Sequence, residues 1–315
     1  MSDLPKRVSI NEEGPREGFQ IESNPIPLKD KVALIEALAE TGLKQIDCLS
    51  YVDPRRVPGM ADADELAALI RKKEGVRYTG LWLNLRGLQR AWDSQLDVVG
   101  SIRVTASETF SVKNTNKNIS ETLMEQRAWL DFYREHAIPV EWGYVMTAFG
   151  CNYEGYMPLP QVKRMVSEVL TLAEIEGITL KGIYLADTVG FANPLMMENT
   201  LGAIRDEWPD LAIGLHLHDT RGTGLANVLA ALKMGVAKFD SSCAGLGGCP
   251  FAGHKGAAGN ICTEDLVFMC EEMGIDTGVD LDALIEVARF AESVFGRTLP
   301  GKVMHGGNLL GYRQY

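Results

Sequence analysis

Two histidines one residue apart, His216 and His218, stand in the apolar run GLHLHD and are the side chains best suited to chemistry in this sequence. On a strand, alternate side chains share a face, so both imidazoles would point into the same space. Two imidazoles so placed can share a divalent ion. The same spacing equally suits two histidines hydrogen-bonded inside a core, and the spacing by itself does not separate the readings. Glu17 and Asn260 are candidate oxygen ligands. Two nitrogens and two oxygens, with positions left open, suit Mg²⁺ or Mn²⁺ acting as a Lewis acid. Zinc is disfavoured, because no cysteine is placed to complete a structural site.

Cys249 sits in Gly-Leu-Gly-Gly-Cys-Pro, a loop whose glycines let backbone approach a ligand and whose thiol can carry a proton to or from carbon. The alternative is a small buried residue in a turn, which is the expectation for the other five cysteines. The loop lacks the GxxxxGK[ST] pattern of a phosphate cradle. Arg16 suits a substrate carbonyl or carboxylate, or a salt bridge to Asp47. Asp187 suits an orienting contact to a ligand, a substrate contact, or the cap of the helix that follows.

These residues are scattered from position 16 to position 260, so the elements between must bring them together. Short β-branched runs predict strands at 8–10, 44–49, 76–84, 97–105, 139–146, 180–186, 211–218 and 237–241. Helical periodicity predicts helices at 28–41, 61–73, 88–94, 120–135, 159–176, 194–208, 224–234, 263–273 and 280–295. Alternation of this kind implies a parallel sheet, and the number of repeats for this length matches a closed (β/α)8 TIM barrel. No linker, low-complexity stretch or shift of composition interrupts the 315 residues, so one domain over 1–315 is expected, with an arm or lid at about 298–315. In a barrel the chemistry lies at the C-terminal strand ends. Residues 13–18, Asp47, Ser50, residues 108–114, 151–155, Asp187, residues 216–220 and the 249–260 loop all fall there.

The composition narrows the partners. A net charge of −11 argues against nucleic acid or an anionic membrane surface. No apolar run approaches a membrane span of about 20 residues, and the first residues lack an apolar signal region. Six cysteines without CxxC spacing read as reduced thiols. A cytoplasmic location follows as the expectation.

Taken together, Gly-Pro-Arg16-Glu17-Gly18-Phe-Gln20, Ser50-Tyr-Val-Asp-Pro54-Arg-Arg-Val-Pro58, Tyr153-Glu154-Gly155, Asp187-Thr188-Val-Gly190, His216-Leu-His218-Asp219-Thr220 and Gly245-Leu-Gly-Gly-Cys249-Pro250 resemble the 3-hydroxy-3-methylglutaryl-CoA lyase family, in order, from about residue 8 to 300. The resemblance implies cleavage of a 3-hydroxyacyl-CoA substrate to acetyl-CoA and a keto acid, acetoacetate in the family case, in a homo-oligomer (dimer or higher). It implies metal ligation by Glu17, His216, His218 and Asn260. It places Arg16 on the thioester carbonyl and makes Cys249 the acid–base residue, with Glu17 and His216 both candidates for the base. Ser50, Asn114 and Asp187 match residues lining the family's substrate pocket.

Three departures stand out. Glu17 replaces the family's usual aspartate and Asp47 its usual glutamate, which reads as a compensating exchange around Arg16. The loop from Cys249 to Asn260 is about two residues longer than usual, through Gly253, His254 and Lys255, and a solvated tip or a contact to CoA phosphate are its two readings. The rivals are a Claisen-condensing synthase, expected to carry a further C-terminal domain, a metal-dependent aldolase of free keto acids, and an inactive binding barrel.

Overall fold

The strands alternate, with one face aliphatic and the other polar, and that alternation sets the architecture. In the computed structural model, which describes residues 4–22, 26–247, 259–309 and 312, the outward residues Ile10, Ile46, Ile102, Val104, Val145, Ile183, Leu185, Leu215 and Phe239 are buried beneath a surrounding layer of helices. The inward residues include Asn11, Asp47, Thr79, Arg103, Tyr144, His216 and Asp240, which line one internal cavity, and Tyr184, which stacks on Tyr144.

In chain order the elements are β1 (Ser9–Glu12), α1 (Gly14–Ile21), α2 (Leu28–Ala39), β2 (Gln45–Ser50), α3 (Ala63–Leu69), β3 (Arg77–Leu81), α4 (Leu85–Asp93), β4 (Gly100–Thr105), α5 (Glu108–Thr115), α6 (Ile119–Glu135), β5 (Val140–Met146), β6 (Gly150–Cys151), β7 (Gly155–Tyr156), α7 (Leu159–Ile175), β8 (Gly182–Asp187), α8 (Pro194–Glu207), β9 (Ala212–Leu217), α9 (Gly224–Lys233), β10 (Lys238–Ser241), α10 (Thr263–Glu272), α11 (Leu281–Phe295) and α12 (Val303–Gly306). The parallel eight-stranded sheet runs β3-β2-β1-β10-β9-β8-β5-β4. The last strand thus pairs with the first, Asn11 beside Asp240 and Ser9 beside Lys238, as a (β/α)8 TIM barrel requires.

Between β3 and β4 the ladder is interrupted. Tyr78 and Asp97 exchange hydrogen bonds near the strand starts. Further along, the Arg103 N–H donates to the side chain of Gln126 on α6, at 2.9 Å, instead of to a strand. The strand–helix alternation matches expectation, and three local differences have physical causes. The residues after β1, where periodicity predicts no helix, form α1, because Pro15 occupies the first turn, where its missing N–H costs nothing. A short helix, α5, and the β6–β7 hairpin fill connections for which no element is predicted. The helix expected at 61–73 stops at Leu69, and Arg71 turns aside to pair its backbone and guanidinium with Glu36.

Up to residue 309, the segment expected as an arm lies against α10 and α11. Lys302 and Val303 donate backbone N–H groups to Asp265, Arg289 holds the Met304 carbonyl, and Leu299 and Met304 are buried. Among the described residues no helix is long and apolar enough to cross a membrane.

Candidate active site

The strand ends put the histidines where the sequence requires. His216 and His218 alternate along and just beyond β9 and face the cavity. Each ring is fixed from behind through Nδ1. His216 Nδ1 meets Asp240 Oδ2 at 3.1 Å, and His218 Nδ1 meets the Asp187 carbonyl at 3.0 Å. A carbonyl only accepts, so His218 carries a proton on Nδ1, and Nε2 is the atom it turns toward the cavity. That atom is buried with no hydrogen-bond partner. Both Nε2 atoms point at one carboxylate, His216 at 3.6 Å from Glu17 Oε1 and His218 at 3.6 Å from Glu17 Oε2.

These three side chains each offer one ligand atom, and the atoms lie within 4.8 Å of one another. Asn260 is held beside His218 by backbone pairing, with Ile261 N–H on Leu217 O at 3.0 Å and Asp219 N–H on Gly259 O at 3.0 Å. Both polar atoms of its side-chain amide are buried and unpartnered, as is Glu17 Oε2. Buried polar atoms are seldom left so, and Nε2, carboxylate and amide oxygen together are the donor set of a divalent ion. The residues present therefore fit a metal. Gly247 at φ +104 packs directly against Glu17, where a Cβ would approach the Glu17 Cβ to 2.6 Å.

Around Arg16 the electrostatics are crowded. Its Nε donates to Asp47 Oδ2 at 2.8 Å, Nη1 lies 3.0 Å from Glu17 Oε1, and Nη2 bonds Glu13. Three of its five N–H groups are thus engaged, leaving two for the cavity it lines. Burial would raise the Glu17 pKa, but the charge of Arg16 and the two histidines outweighs it and holds the carboxyl below the usual range. Glu13 goes the other way. Burial and the neighbouring Asp47, Asp240 and Glu17 push it well up despite Arg16. Asp47 also accepts from Thr79 at 3.2 Å, and sits at a break in register between β2 and β3, a device common beside active sites.

Of the other residues expected in the site, Asn114 lines the cavity from α5. Ser50 and Asp187 are both fully buried. Ser50 is fully buried with its hydroxyl on Gln20 Oε1 at 2.7 Å, so it supports a cavity residue without reaching the cavity. The Asp187 carboxylate is fully buried and accepts from the N–H groups of Phe191 and Ala192, at 2.7 and 3.0 Å. Its part in the site is played by its carbonyl, which orients His218. Cys249, Gly253, His254 and Lys255 lie outside the described residues. Cys48, Cys151, Cys243, Cys262 and Cys270 are buried free thiols, as expected.

Sequence reasoning missed Asp240, which holds Asn11 at 2.9 Å as well as His216. Its only signal was one acid in the apolar run VAKFDSS. It also missed two buried carboxylates at the root of the Cys249 loop. Glu12 accepts from the N–H groups of Gly14 and Cys243 and from the Thr263 hydroxyl, at 2.7, 2.8 and 2.6 Å. Glu264 accepts from Ala244 N–H at 2.9 Å. They fix residues 243–245, where Ala244 is left-handed at φ +56.

The cavity is about 800 Å³ and runs from the triad down the polar barrel interior and out between β3 and β4 under α6. Such a barrel differs from one filled by stacked aliphatic layers, and it leaves room beside the metal ligands for a substrate.

Residues 7–291 match the HMGL-like family. The chain is 41% identical over 298 residues to the hydroxymethylglutaryl-CoA lyase YngG of Bacillus subtilis (strain 168), covering 95% of this chain and 96% of that protein. Among solved structures, the Bacillus subtilis HMG-CoA lyase superposes with a TM-score of 0.88 at 38% identity, covering 96% of this chain and 98% of that one. An HMG-CoA lyase of Acinetobacter baumannii, in complex with coenzyme A and 3-methylmalate, superposes with a TM-score of 0.88 at 34% identity over 98% of both chains.

Proposed function

The chain belongs to the HMGL-like family, and we propose that it cleaves a 3-hydroxy-3-methylglutaryl-CoA-like thioester between C2 and C3, releasing acetyl-CoA and a keto acid. It is a carbon–carbon lyase that depends on a divalent metal, and our reading of the metal is Mg²⁺ or Mn²⁺, held by Glu17, His216, His218 and Asn260. The observation that carries this reading is the convergence of both imidazole Nε2 atoms on Glu17 beside an unpartnered Asn260 amide. The Acinetobacter relative, with coenzyme A and a hydroxy dicarboxylic acid bound, supports an acyl-CoA substrate.

When bound, the ion supplies positive charge that acidifies a hydroxyl placed against it. Glu17 or His216, both at the ion, takes the proton of the C3 hydroxyl. As C3 becomes a carbonyl, the C2–C3 bonding pair moves toward the thioester, whose oxygen gains charge. The two N–H groups of Arg16 left over from its carboxylate partners meet that oxygen. Cys249 then returns a proton to C2, completing acetyl-CoA. Asp240 and the Asp187 carbonyl fix the two rings so that Nε2 of each faces the reaction.

The test is acetyl-CoA release from a panel of branched 3-hydroxyacyl-CoA thioesters with Mg²⁺ and Mn²⁺. Release that EDTA abolishes is expected. No release from any member would defeat the assignment.

A further inference from the structure

Among the described residues, Arg103 is a cation inside the barrel that no anion pairs. Arg103 on β4 lies abreast of Tyr144 on β5, and Tyr144 abreast of Tyr184 on β8. The next inward residue up β8, Ala186, is abreast of His216. Arg103 is therefore one inward step below His216, at the interrupted side of the sheet. Its Cζ lies 5.0 Å from the centre of the Trp82 ring and 5.6 Å from that of Tyr144, and its Nε donates to Ser101 Oγ at 2.7 Å.

Among the described residues no carboxylate pairs with it, and its two terminal nitrogens make no hydrogen bond. It lines the same cavity as Glu17, His216 and His218. Arg16, the other guanidinium near the triad, is taken up by three carboxylates. Lys238 sits further down, at the start of β10, over the rings of Trp142 and Tyr184.

A guanidinium cannot shed its charge, and one half-buried among aromatic rings is best met by an anion. Aromatic faces flank the group, Ser101 takes its Nε–H, and the four N–H donors of the terminal nitrogens are left without a described partner on a residue that lines the cavity. Their fork matches a carboxylate. We infer that Arg103 receives a carboxylate on the acyl arm of the substrate and thereby selects 3-hydroxyacyl-CoA esters with an anionic arm over those with an apolar one. This rests on the lyase reading and adds to it the residue that sets acyl selectivity.

The experiment compares kcat/KM for 3-hydroxy-3-methylglutaryl-CoA and for its neutral counterpart 3-hydroxy-3-methylbutanoyl-CoA in the metal-loaded wild-type, Arg103→Met and Arg103→Lys proteins. The quantity read is the ratio between the two substrates, which cancels losses from packing. Loss of a charge-assisted contact predicts that this ratio falls about 100-fold in Arg103→Met, chiefly through KM, and is partly kept in Arg103→Lys. An unchanged ratio in Arg103→Met would overturn the assignment, whatever the absolute rates. Wild-type protein that cleaves neither thioester would overturn the lyase reading itself, whereas cleavage with a ratio indifferent to Arg103 would remove only the role given to this residue.

Discussion

A carboxylate that serves a guanidinium and a metal at once is constrained from both sides. Glu17 directs Oε1 toward Arg16 and His216 and Oε2 toward His218, and Gly247 closes its flank. Asp47 reaches the opposite edge of the same guanidinium. A methylene gained at 17 and one lost at 47 leave Arg16 between two carboxylates while shifting where each can end. Shortening Glu17 alone should withdraw its oxygens from the histidines. Glu17→Asp is expected to lower metal-dependent kcat/KM by about 100-fold, the scale of a misplacement of about 1 Å. Glu17→Asp with Asp47→Glu should recover at least about tenfold, because Arg16 can then recentre. A double variant no better than the single one would show that the two positions do not compensate. The histidine pair, Arg16 and Glu17 could be picked out by residue type and spacing, because metal and oxyanion chemistry need those groups. Asp240 could not, since a lone acid in a strand carries no motif. Asp187 stayed open between an orienting contact, a substrate contact and a cap, because sequence does not distinguish a working carboxylate from a working carbonyl.

Elements place these groups through their ends, and the root of the 248–258 segment shows how. Glu12 closes β1 and Glu264 opens α10, and both point inward to hold residues 243–245. Burial raises the Glu12 pKa to about 7, against its three hydrogen-bond donors, and raises that of Glu264 to about 8. One oxygen of Glu264 has no partner, so the protonated form is the one that suits its site. In the unfolded chain the same carboxyl ionises near its ordinary value of 4.5. The folded state therefore binds the proton more tightly. The stability this confers is complete below about pH 4.5 and is lost as pH rises toward about 8. Glu264→Gln keeps a neutral group there and should flatten the fall in melting temperature between about pH 5 and 8, a difference of several degrees for a few kcal/mol. Parallel declines in variant and wild type would show that Glu264 is ionised throughout. Long amphipathic helices such as α7 and α11 announced themselves by periodicity. The eight residues of α1 and of α5 are too short to display a period, and a Gly-Pro start reads as a turn until the rest of the barrel presses on it.

Across the molecule, alternation of strand and helix determined a parallel barrel, but its polar interior was concealed. Inward residues such as Asn11, Gln45, Thr79 and Ser101 look in sequence like the solvent face of a half-exposed sheet, and nothing local marks the failure of β3 to pair with β4. The consequence is a metal site assembled from opposite ends of the chain. Glu17 follows the first strand, His216 and His218 end β9, and Asn260 follows β10, across the β1–β10 seam that closes the sheet. An ion bound there ties that seam and neutralises part of a buried carboxylate cluster. It binds the folded chain and finds no assembled site in the unfolded one, so it should stabilise by mass action, by about 2.7 kcal/mol at a hundred times its Kd. Titrating Mg²⁺ or Mn²⁺ into EDTA-treated protein is therefore expected to raise the melting temperature by several degrees in a saturable way. Glu17→Gln should melt cooperatively without metal and lose most of that rise, since the amide removes the charge between the two histidines. A rise of equal size in Glu17→Gln would place the stabilising ion elsewhere on this acidic protein.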